Sequence, residues 1–193
     1  MDIKQEKILL ELIKAGDQDA FGTIYDHYYP KLINYAYRRT LNIEGSEDII
    51  ANTFVKALNA INKFKWYKYG LSPWLYKITN NEINNYYREN QRYHFVDDAD
   101  LEKYADNMIN PDSEIATLES ELMQCEDFQV IQVALRKLNL RYQEIIQLKF
   151  FEEKSYAELE LILGIKQTSI RSLISRALTN LRDILEKDKL SLN

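Results

Sequence analysis

The stretch that decides the fold runs from Ser155 to Leu181 and reads SYAELELILGIKQTSIRSLISRALTNL. It begins with a capping box, in which the side chains of Ser155 and Glu158 satisfy free backbone N–H groups at the start of a helix. Gly164 stands where that helix must end, because glycine tolerates the left-handed conformation of a tight turn. A second helical pattern follows the turn. The stretch therefore predicts a helix-turn-helix, an arrangement found in many DNA-binding proteins.

Apolar residues give each of these two helices one side that suits burial. In the first helix and the turn they are Leu159, Ile162, Leu163 and Ile165. In the second helix the residues expected to face inward are Ile170, Ile174, Ala177, Leu178 and Leu181.

The outward residues of the second helix indicate what it binds. Between Lys166 and Arg182 there are four basic residues and no acidic one. Amide, hydroxyl and guanidinium groups of this kind contact phosphates and base edges in the major groove. The candidate residues for binding duplex DNA are Lys166, Gln167, Thr168, Ser169, Arg171, Ser172, Ser175 and Arg176. The alternative is a plain helical hairpin with a charged face.

The composition predicts an all-α protein. Of 193 residues only five are Gly and three are Pro, and β-branched residues do not alternate over any useful length. The single Cys125 excludes an intrachain disulfide and a CxxC site, and the isolated His27 and His94 argue against a histidine metal site. We therefore expect no cofactor and no metal. The N-terminus has neither a signal-peptide nor a transmembrane pattern, which predicts a cytoplasmic location without a membrane partner.

Periodicity and capping signals predict ten helices. Their approximate bounds are Lys4–Ala15, Asp17–Tyr28, Pro30–Thr40, Ser46–Asn62, Ser72–Asn90, Ser113–Glu126, Asp127–Leu138, Leu140–Phe151, Ser155–Leu163 and Gln167–Lys187. Ser46 and Ser72 are the expected N-caps of their helices, and Pro73 suits a first helical position. One buried face is expected along Ile50, Phe54, Ala57 and Ile61.

The net charge of −5 is unevenly distributed. From Asp97 to Asp127 there are eleven acidic residues and one basic residue, which leaves a net charge of +5 on the rest of the chain. Helical periodicity fails from about Gln91 to Asp112. We therefore predict two small helical bundles, 1–90 and 113–193, joined by an acidic linker at 91–112, with the helix-turn-helix in the second bundle. The linker is read as a solvated tether; the alternative is a nucleic-acid mimic or a segment that touches a partner protein.

A second candidate nucleic-acid surface lies between Phe54 and Arg92. This segment has seven basic residues, two acidic residues and nine of the 23 aromatic residues of the chain. Rings stack on unpaired bases while cations follow the backbone, so the mixture is typical of single-strand binding. The candidate residues are Lys65, Trp66, Tyr67, Tyr69, Lys77, Asn80, Asn81, Asn84 and Arg88. The alternative is that the rings belong to the core, which is the expectation for Trp74.

Several segments, in order along the chain, resemble bacterial sigma factors of the extracytoplasmic-function type in the sigma-70 family. The opening helices of that family are similar to Ala20-Phe21, Tyr25, Tyr28-Tyr29-Pro30 and Tyr35-Ala36-Tyr37-Arg38. Its polymerase-binding helix is similar to Glu47-Asp48-Ile49-Ile50 with Thr53-Phe54-Val55-Lys56-Ala57. Its promoter-melting segment resembles Phe64, Trp74-Leu75-Tyr76-Lys77-Ile78, Asn81 and Tyr86-Tyr87-Arg88, and its last domain resembles residues 138–182. The resemblance covers about residues 20–185.

The resemblance implies a function and partners. The first domain would bind core RNA polymerase and melt the minus-ten element of promoter DNA, and the last domain would hold the duplex minus-thirty-five element. The polymerase-binding residues would be Glu47, Asp48, Asn52 and Lys56. The loop rings would receive flipped bases, because flipping costs a few kcal/mol that stacking must offset. An anti-sigma factor is a further partner that the resemblance raises, and no residue pattern here marks a site for one.

Some positions depart from the family pattern, and they put promoter sequence and affinity in question more than the fold. They are Ala51, Asn52, Asn80, Asn85, Asn139, Glu160, Lys166 and Leu173. Two non-initiating alternatives therefore stay open: a degenerate sigma-like protein, and an operator-binding regulator that uses only its helix-turn-helix. An enzyme is not expected, because the sequence contains no phosphate-binding glycine loop, metal-spaced cluster or nucleophile paired with a base.

Overall fold

A computed structural model of the chain describes residues 1–90 and 126–191, with side chains at 1–90 and 131–187. All regular structure in these ranges is helical, as the composition predicts, and none of their helices is long and apolar enough to cross a bilayer. They form two compact units, one of residues 1–90 and one that comprises most of residues 126–191. The predicted linker at 91–112, nearly all of the helix predicted at 113–126, and both His94 and Cys125 lie outside the described residues.

The first unit is a bundle of four α-helices. They are α1 (Ile3–Lys14), α2 (Gln18–Thr40), α3 (Ile43–Ala60) and α4 (Ser72–Glu89), with a 3-10 turn at Ile61–Lys63 after α3. Helix α2 packs against the other three, and α3 packs along α4. The face predicted on α3 is confirmed, since all its members are buried: Ile50, Phe54, Ala57 and Ile61.

The prediction of two helices at 17–28 and 30–40 is wrong, because α2 is continuous and holds Pro30 inside it. Proline removes one backbone N–H and crowds the preceding turn, which disfavours a helix interior. Buried side chains on both sides of Pro30, including Tyr28 and Leu32, pack the whole helix into the bundle. Tertiary packing therefore outweighs the local cost of the proline.

The N-cap predicted at Ser46 is also wrong. Helix α3 begins three residues earlier, and Asn42 caps it by accepting a hydrogen bond from the backbone N–H of Gly45 at 2.6 Å. Ser46 lies inside the helix and is fully buried, and its hydroxyl donates to the carbonyl oxygen of Asn42 at 2.7 Å.

The start of α4 differs from the prediction in the same way. Leu71, not Ser72, is the N-cap, so Pro73 is the second helical residue and no side chain of the segment itself caps the helix. The backbone N–H of Leu71 donates instead to the carboxylate of Glu6 on α1, at 2.8 Å.

The second unit contains the helix-turn-helix. Its helices are α5 (Glu126–Arg136), α6 (Leu140–Ile146), α7 (Tyr156–Leu163) and α8 (Gln167–Ser191), and a π-helical segment at Gln147–Phe151 continues α6. The single α-helix predicted at 140–151 therefore changes its hydrogen-bond pattern halfway. Helix α8 packs against α5 and α6.

The local signals of the helix-turn-helix are confirmed. The backbone N–H of Ser155 donates to the Glu158 carboxylate at 2.9 Å, the Ser155 hydroxyl accepts from the N–H of Glu158, and Gly164 ends α7 with φ of 67°. The predicted interior is buried at Leu159, Ile162, Ile170, Ile174 and Ala177. The inward orientation predicted for Leu178 is wrong, because Leu178 is 42% exposed, and the buried side of α8 includes Leu173.

A buried polar cluster joins α2 to α4 in the first unit. The Tyr35 hydroxyl donates to Oδ1 of Asn80 at 2.5 Å and accepts from the Arg39 guanidinium at 3.3 Å. The Tyr35 ring meets the Tyr76 ring edge-on, with centroids 5.3 Å apart. Tyr35 is fully buried, so its hydroxyl depends on these protein partners.

We expect Tyr35→Phe to lower the free energy of unfolding by about 1–3 kcal/mol, because it leaves a buried acceptor and a buried donor without this partner. Urea denaturation followed by circular dichroism measures the change. Tyr25→Phe is the matched control, since Tyr25 also lies on α2 and is more than a third exposed. Equal losses in the two variants would contradict the role given to the Tyr35 hydroxyl.

Candidate nucleic-acid interface

The first turns of α8 bring most of the predicted duplex-binding residues to one exposed surface. The exposed members are Lys166, Thr168, Ser169, Arg171, Ser172, Ser175 and Arg176, and Gln167 is half-buried. Ile170, Ile174 and Ala177 occupy the opposite, buried side. This division follows from the helical period, because side chains three and four residues apart share a face. The surface is basic and rich in hydroxyl groups, as a helix in the major groove requires.

Glu160 on α7 reaches across the turn to this surface. Its Oε2 accepts a hydrogen bond from Nε2 of Gln167, the first residue of α8, at 2.8 Å. The sequence marks Glu160 only as an unusual residue, and the structure gives it a partner. The contact restrains a candidate base-reading amide and places a carboxylate beside the basic surface.

Tyr156 is a second residue that the sequence analysis missed at this surface. Its ring lies beneath two cations, with Lys149 Nζ at 5.1 Å and the Arg171 guanidinium at 5.4 Å from the ring centroid. Both distances fall within the range of cation–π attraction, which contributes about 0.5–1 kcal/mol at exposed sites. The ring therefore restrains Arg171, one of the predicted DNA contacts. An aromatic residue directly after the Ser155 cap was the available signal.

Leu173 is separate from this surface. It is buried in the second unit, so a leucine there adds to the core and does not remove a contact from the exposed side of α8.

In the first unit the aromatic loop, residues 64–70, precedes α4. Phe64 is buried and its ring contacts those of Trp66, Tyr67 and Trp74, with centroids 6.4, 6.2 and 4.8 Å away. Tyr67 is 49% exposed, whereas Trp66, Tyr69 and Trp74 are half-buried. The loop thus presents the solvent-exposed ring of Tyr67, together with aromatic side chains that are half-buried. Its exposed cations are Lys65 and Lys68, and Lys68 lies 4.8 Å from the Tyr69 ring centroid.

Helix α4 continues this candidate single-strand surface. Four of the predicted residues are exposed: Lys77, Asn81, Asn84 and Arg88. The assignment of Asn80 to the surface is wrong, because Asn80 is only 4% exposed and its Oδ1 accepts from Tyr35. The buried hydroxyl of Tyr35 required an acceptor, and Asn80 provides it.

Helix α3 exposes a separate face. The predicted polymerase-binding residues Glu47, Asp48, Asn52 and Lys56 are all exposed there. Lys56 also pairs with Glu82 of α4 at 2.6 Å, so its ammonium is held within the bundle. The same helix exposes Val55 and Leu58, at 58% and 50%, which the sequence analysis did not include. Contiguous exposed apolar side chains mark protein-interaction surfaces, so Val55 and Leu58 make this face a candidate for binding a protein.

The polar residues of α3 open onto a groove between α3 and α4. The groove has a volume of about 540 Å³, and its acidic lining residues are Glu44, Asp48, Glu82 and Glu89. Across the described residues no group of histidine, cysteine, aspartate or glutamate side chains is arranged to hold a metal ion.

One further electrostatic feature lies beside the α3 face. Burial, with smaller effects from Tyr25 and Glu47, raises the pKa of Tyr29 above its ordinary value. The raised pKa disfavours ionisation of the phenol next to the acidic side of α3.

Two family models match the chain. Sigma-70 region 2 matches residues 24–93, and Sigma-70, region 4 matches residues 128–181. The chain is similar to the RNA polymerase sigma factor YlaC of Bacillus subtilis, with 29% identity across 89% of this chain and 95% of the relative. It is 30% identical to the ECF RNA polymerase sigma factor SigW of the same organism, across 90% of this chain and 92% of the relative.

A solved structure supports the fold. It is the sigma factor RpoE in complex with the anti-sigma factor NepR from Bartonella quintana, and its TM-score is 0.63 at 23% identity. The match covers 86% of this chain and 96% of that chain.

We expect Glu160→Gln to strengthen binding to a short duplex of random sequence by about twofold to fivefold at low salt. The variant removes a carboxylate that repels phosphates beside the basic surface of α8, and salt screens such repulsion. Fluorescence anisotropy across a salt titration measures the change. Glu186→Gln is the matched control, because it removes the same charge from an exposed position on α8, about five turns beyond Gln167, the partner of Glu160. An equal gain from the control would mean that total charge, and not the position of Glu160, governs the affinity.

Proposed function

The chain belongs to the extracytoplasmic-function group of the sigma-70 family, and we propose that its two units divide the work of a sigma factor. As such a factor it directs core RNA polymerase to promoters. In this proposal residues 1–90 bind the polymerase and open the minus-ten element. Residues 91–112 are an acidic linker, and residues 113–193 hold the duplex minus-thirty-five element.

The observation that carries the proposal is the two-sided character of α8. One side is apolar and buried, and the other carries the cations and hydroxyl groups of residues 166–176. The major groove admits a single α-helix of this width, and the N-terminal residues of the second helix of a helix-turn-helix meet the base edges there. Gln167 and Arg171 are the residues best restrained for this role, by Glu160 and Tyr156 respectively.

The exposed face of α3 supports polymerase binding. It combines the carboxylates of Glu47 and Asp48 with the exposed apolar residues Val55 and Leu58. Apolar side chains contribute binding energy through burial, and the carboxylates direct the face toward a basic partner. Asn52 extends this face, and Lys56 contributes to it while paired with Glu82.

The aromatic loop and α4 support strand separation. Tyr67 offers a solvent-exposed ring. Stacking of a base on an aromatic ring contributes about 1–3 kcal/mol, which is similar to the free-energy cost of flipping a base. Trp66 and Tyr69 flank Tyr67 in sequence and are half-buried. Lys65, Lys77 and Arg88 lie exposed on the loop and on α4 to follow the strand backbone.

The charge distribution suits a factor that acts with the polymerase and not alone. Non-specific DNA binding depends on the neutralisation of phosphates, and a net charge of −5 opposes it. We propose that nucleotide transfer is left to the core polymerase and that the chain acts in the cytoplasm, where that polymerase meets DNA. An anti-sigma partner is proposed as well, by analogy with the RpoE and NepR pair.

The experiment that tests the whole proposal is run-off transcription with core polymerase on a library of promoters. We expect specific start sites that depend on the added chain. If the chain shifts duplex DNA alone and yields no start site, it is an operator-binding regulator. If it binds polymerase and yields no start site, it is a sigma-like protein that does not initiate.

We expect Arg176→Ala to weaken holoenzyme binding to the minus-thirty-five duplex by about 1–3 kcal/mol, because it removes an exposed cation from the basic surface of α8. Polymerase association, measured by gel filtration with core enzyme, should stay within about twofold, since α8 is not part of the α3 face. Arg182→Ala is the control, because Arg182 is also exposed on α8 and lies beyond the reading residues. Loss of polymerase association in the Arg176 variant would reverse the roles given to the two units.

We expect the double variant Trp66→Ala, Tyr67→Ala to lower promoter opening more than about tenfold while closed complexes still form, because it removes the stacking rings. Permanganate footprinting of unpaired thymines measures opening, and gel shift at low temperature measures the closed complex. Tyr25→Ala serves as a control for the loss of a partly exposed ring elsewhere in the first unit. Normal opening in the double variant would exclude these two rings from strand separation.

A further inference from the structure

Helix α1 contributes a buried carboxylate to the start of α4. Glu6 is only 5% exposed. Its Oε1 accepts a hydrogen bond from the Tyr28 hydroxyl at 2.7 Å, and its Oε2 accepts from the backbone N–H of Leu71 at 2.8 Å. In a capping box a glutamate three residues into the same helix satisfies this N-cap N–H. Here a glutamate from a different helix does so, and α4 has no side-chain cap of its own.

Gly70, directly before Leu71, has no side chain and so leaves room for this carboxylate. It has φ of 66°, and a Cβ built on it would lie 2.3 Å from Oε2 of Glu6. A side chain at this position would therefore be strained by the backbone conformation and would also displace the carboxylate. Glu6 and the end of the aromatic loop thus fit together closely.

Helix α1 also reaches the other end of the loop. Nζ of Lys14 donates to the carbonyl oxygen of Phe64, the first loop residue, at 3.4 Å. Between these two attachments, the N–H of Gly70 donates to the carbonyl oxygen of Tyr67 at 3.0 Å and closes a turn. The exposed ring of Tyr67 therefore lies on a segment held at both ends by α1.

We propose that Glu6 is a positioning residue for promoter opening, which fixes the aromatic loop through the backbone N–H of Leu71. The inference rests on the proposed function, because it assigns to Glu6 the support of rings that receive unpaired bases. A stacking surface binds best when it is ordered before the base arrives, since an unfixed loop must be ordered at the cost of binding free energy. Helix α1, to which the sequence assigned no chemistry, becomes part of the melting apparatus.

The test compares Glu6→Ala and Glu6→Gln in holoenzyme, with Asp26→Asn as the control, because it removes a carboxylate from an exposed position on α2. We expect Glu6→Ala to lower the open-complex fraction about fivefold to tenfold, the scale of a lost helix cap. Glu6→Gln keeps one acceptor and should lower the open-complex fraction about twofold to threefold, and Asp26→Asn should leave it unchanged. The affinity for core polymerase should stay within about twofold of the wild-type value in all three variants.

Two further readouts separate positioning from a general loss of structure. On a template whose minus-ten element is already unpaired, Glu6→Ala should regain most of the wild-type run-off, because the strands no longer need to be opened. In a Trp74→Phe background, where Trp66 is the only tryptophan, Glu6→Ala should make Trp66 fluorescence more sensitive to acrylamide. A partly unfolded protein would instead stay defective on the unpaired template.

Gly70→Ala provides an independent approach to the same contact. It should reproduce the opening defect, and combining it with Glu6→Ala should cost less than the product of the two single effects, because the clashing carboxylate is then absent. Wild-type opening together with unchanged Trp66 quenching in Glu6→Ala would overturn the inference. If Glu6→Ala does not fold, Glu6→Gln decides by the same two readouts, since it keeps the side-chain volume. Normal opening in the Trp66→Ala, Tyr67→Ala variant would refute the proposed role of the loop instead.

Discussion

The hydroxyl of Tyr35 is the contact on which the first unit depends. It is fully buried between α2 and α4, and it bonds to Asn80 and Arg39. An unsatisfied hydroxyl in an apolar environment costs about 1–3 kcal/mol by mutational measures, so the two helices are held in one register. With Asn80 turned inward, the rotation of α4 is fixed. The exposed positions of Asn81, Asn84 and the neighbouring cations follow from that rotation.

Carboxylates have structural roles in both units that a charge count does not reveal. Glu6 satisfies the N-cap of α4, Glu82 pairs with Lys56 of α3, and Glu160 holds Gln167 at the start of α8. Each of the three links two helices that are separate in sequence or divided by a turn. In the sequence these three carboxylates only contribute to the net charge of −5. In the structure they accept hydrogen bonds that orient candidate functional residues.

The helix-turn-helix shows a division between local and non-local control. The Ser155 capping box and the left-handed Gly164 fix the turn through contacts within four residues. The positions of the candidate DNA-contacting side chains depend on other contacts. Tyr156 lies against Arg171, and Glu160 accepts a hydrogen bond from Gln167. The fold of the motif is thus independent of the restraints that bear on its specificity. The departure from the family pattern at Glu160 therefore acts on Gln167 and leaves the cap and the turn of the motif in place.

The sequence by itself determined the helical class, the helix-turn-helix with its cap and turn, the buried face of α3 and the family. These depend on contacts between residues close in the chain, or on the helical period, which the residue order specifies directly. Only the tertiary structure decided that α2 continues through Pro30, that Leu178 is exposed, and that Glu6 caps α4. It also separated Asn80 from Asn84, which lie one turn apart and only about 40° apart around the helix, so that periodicity assigned both to one face. The separation required the hydroxyl of Tyr35, 45 residues earlier in the chain, because a buried donor takes the acceptor that packing brings within reach.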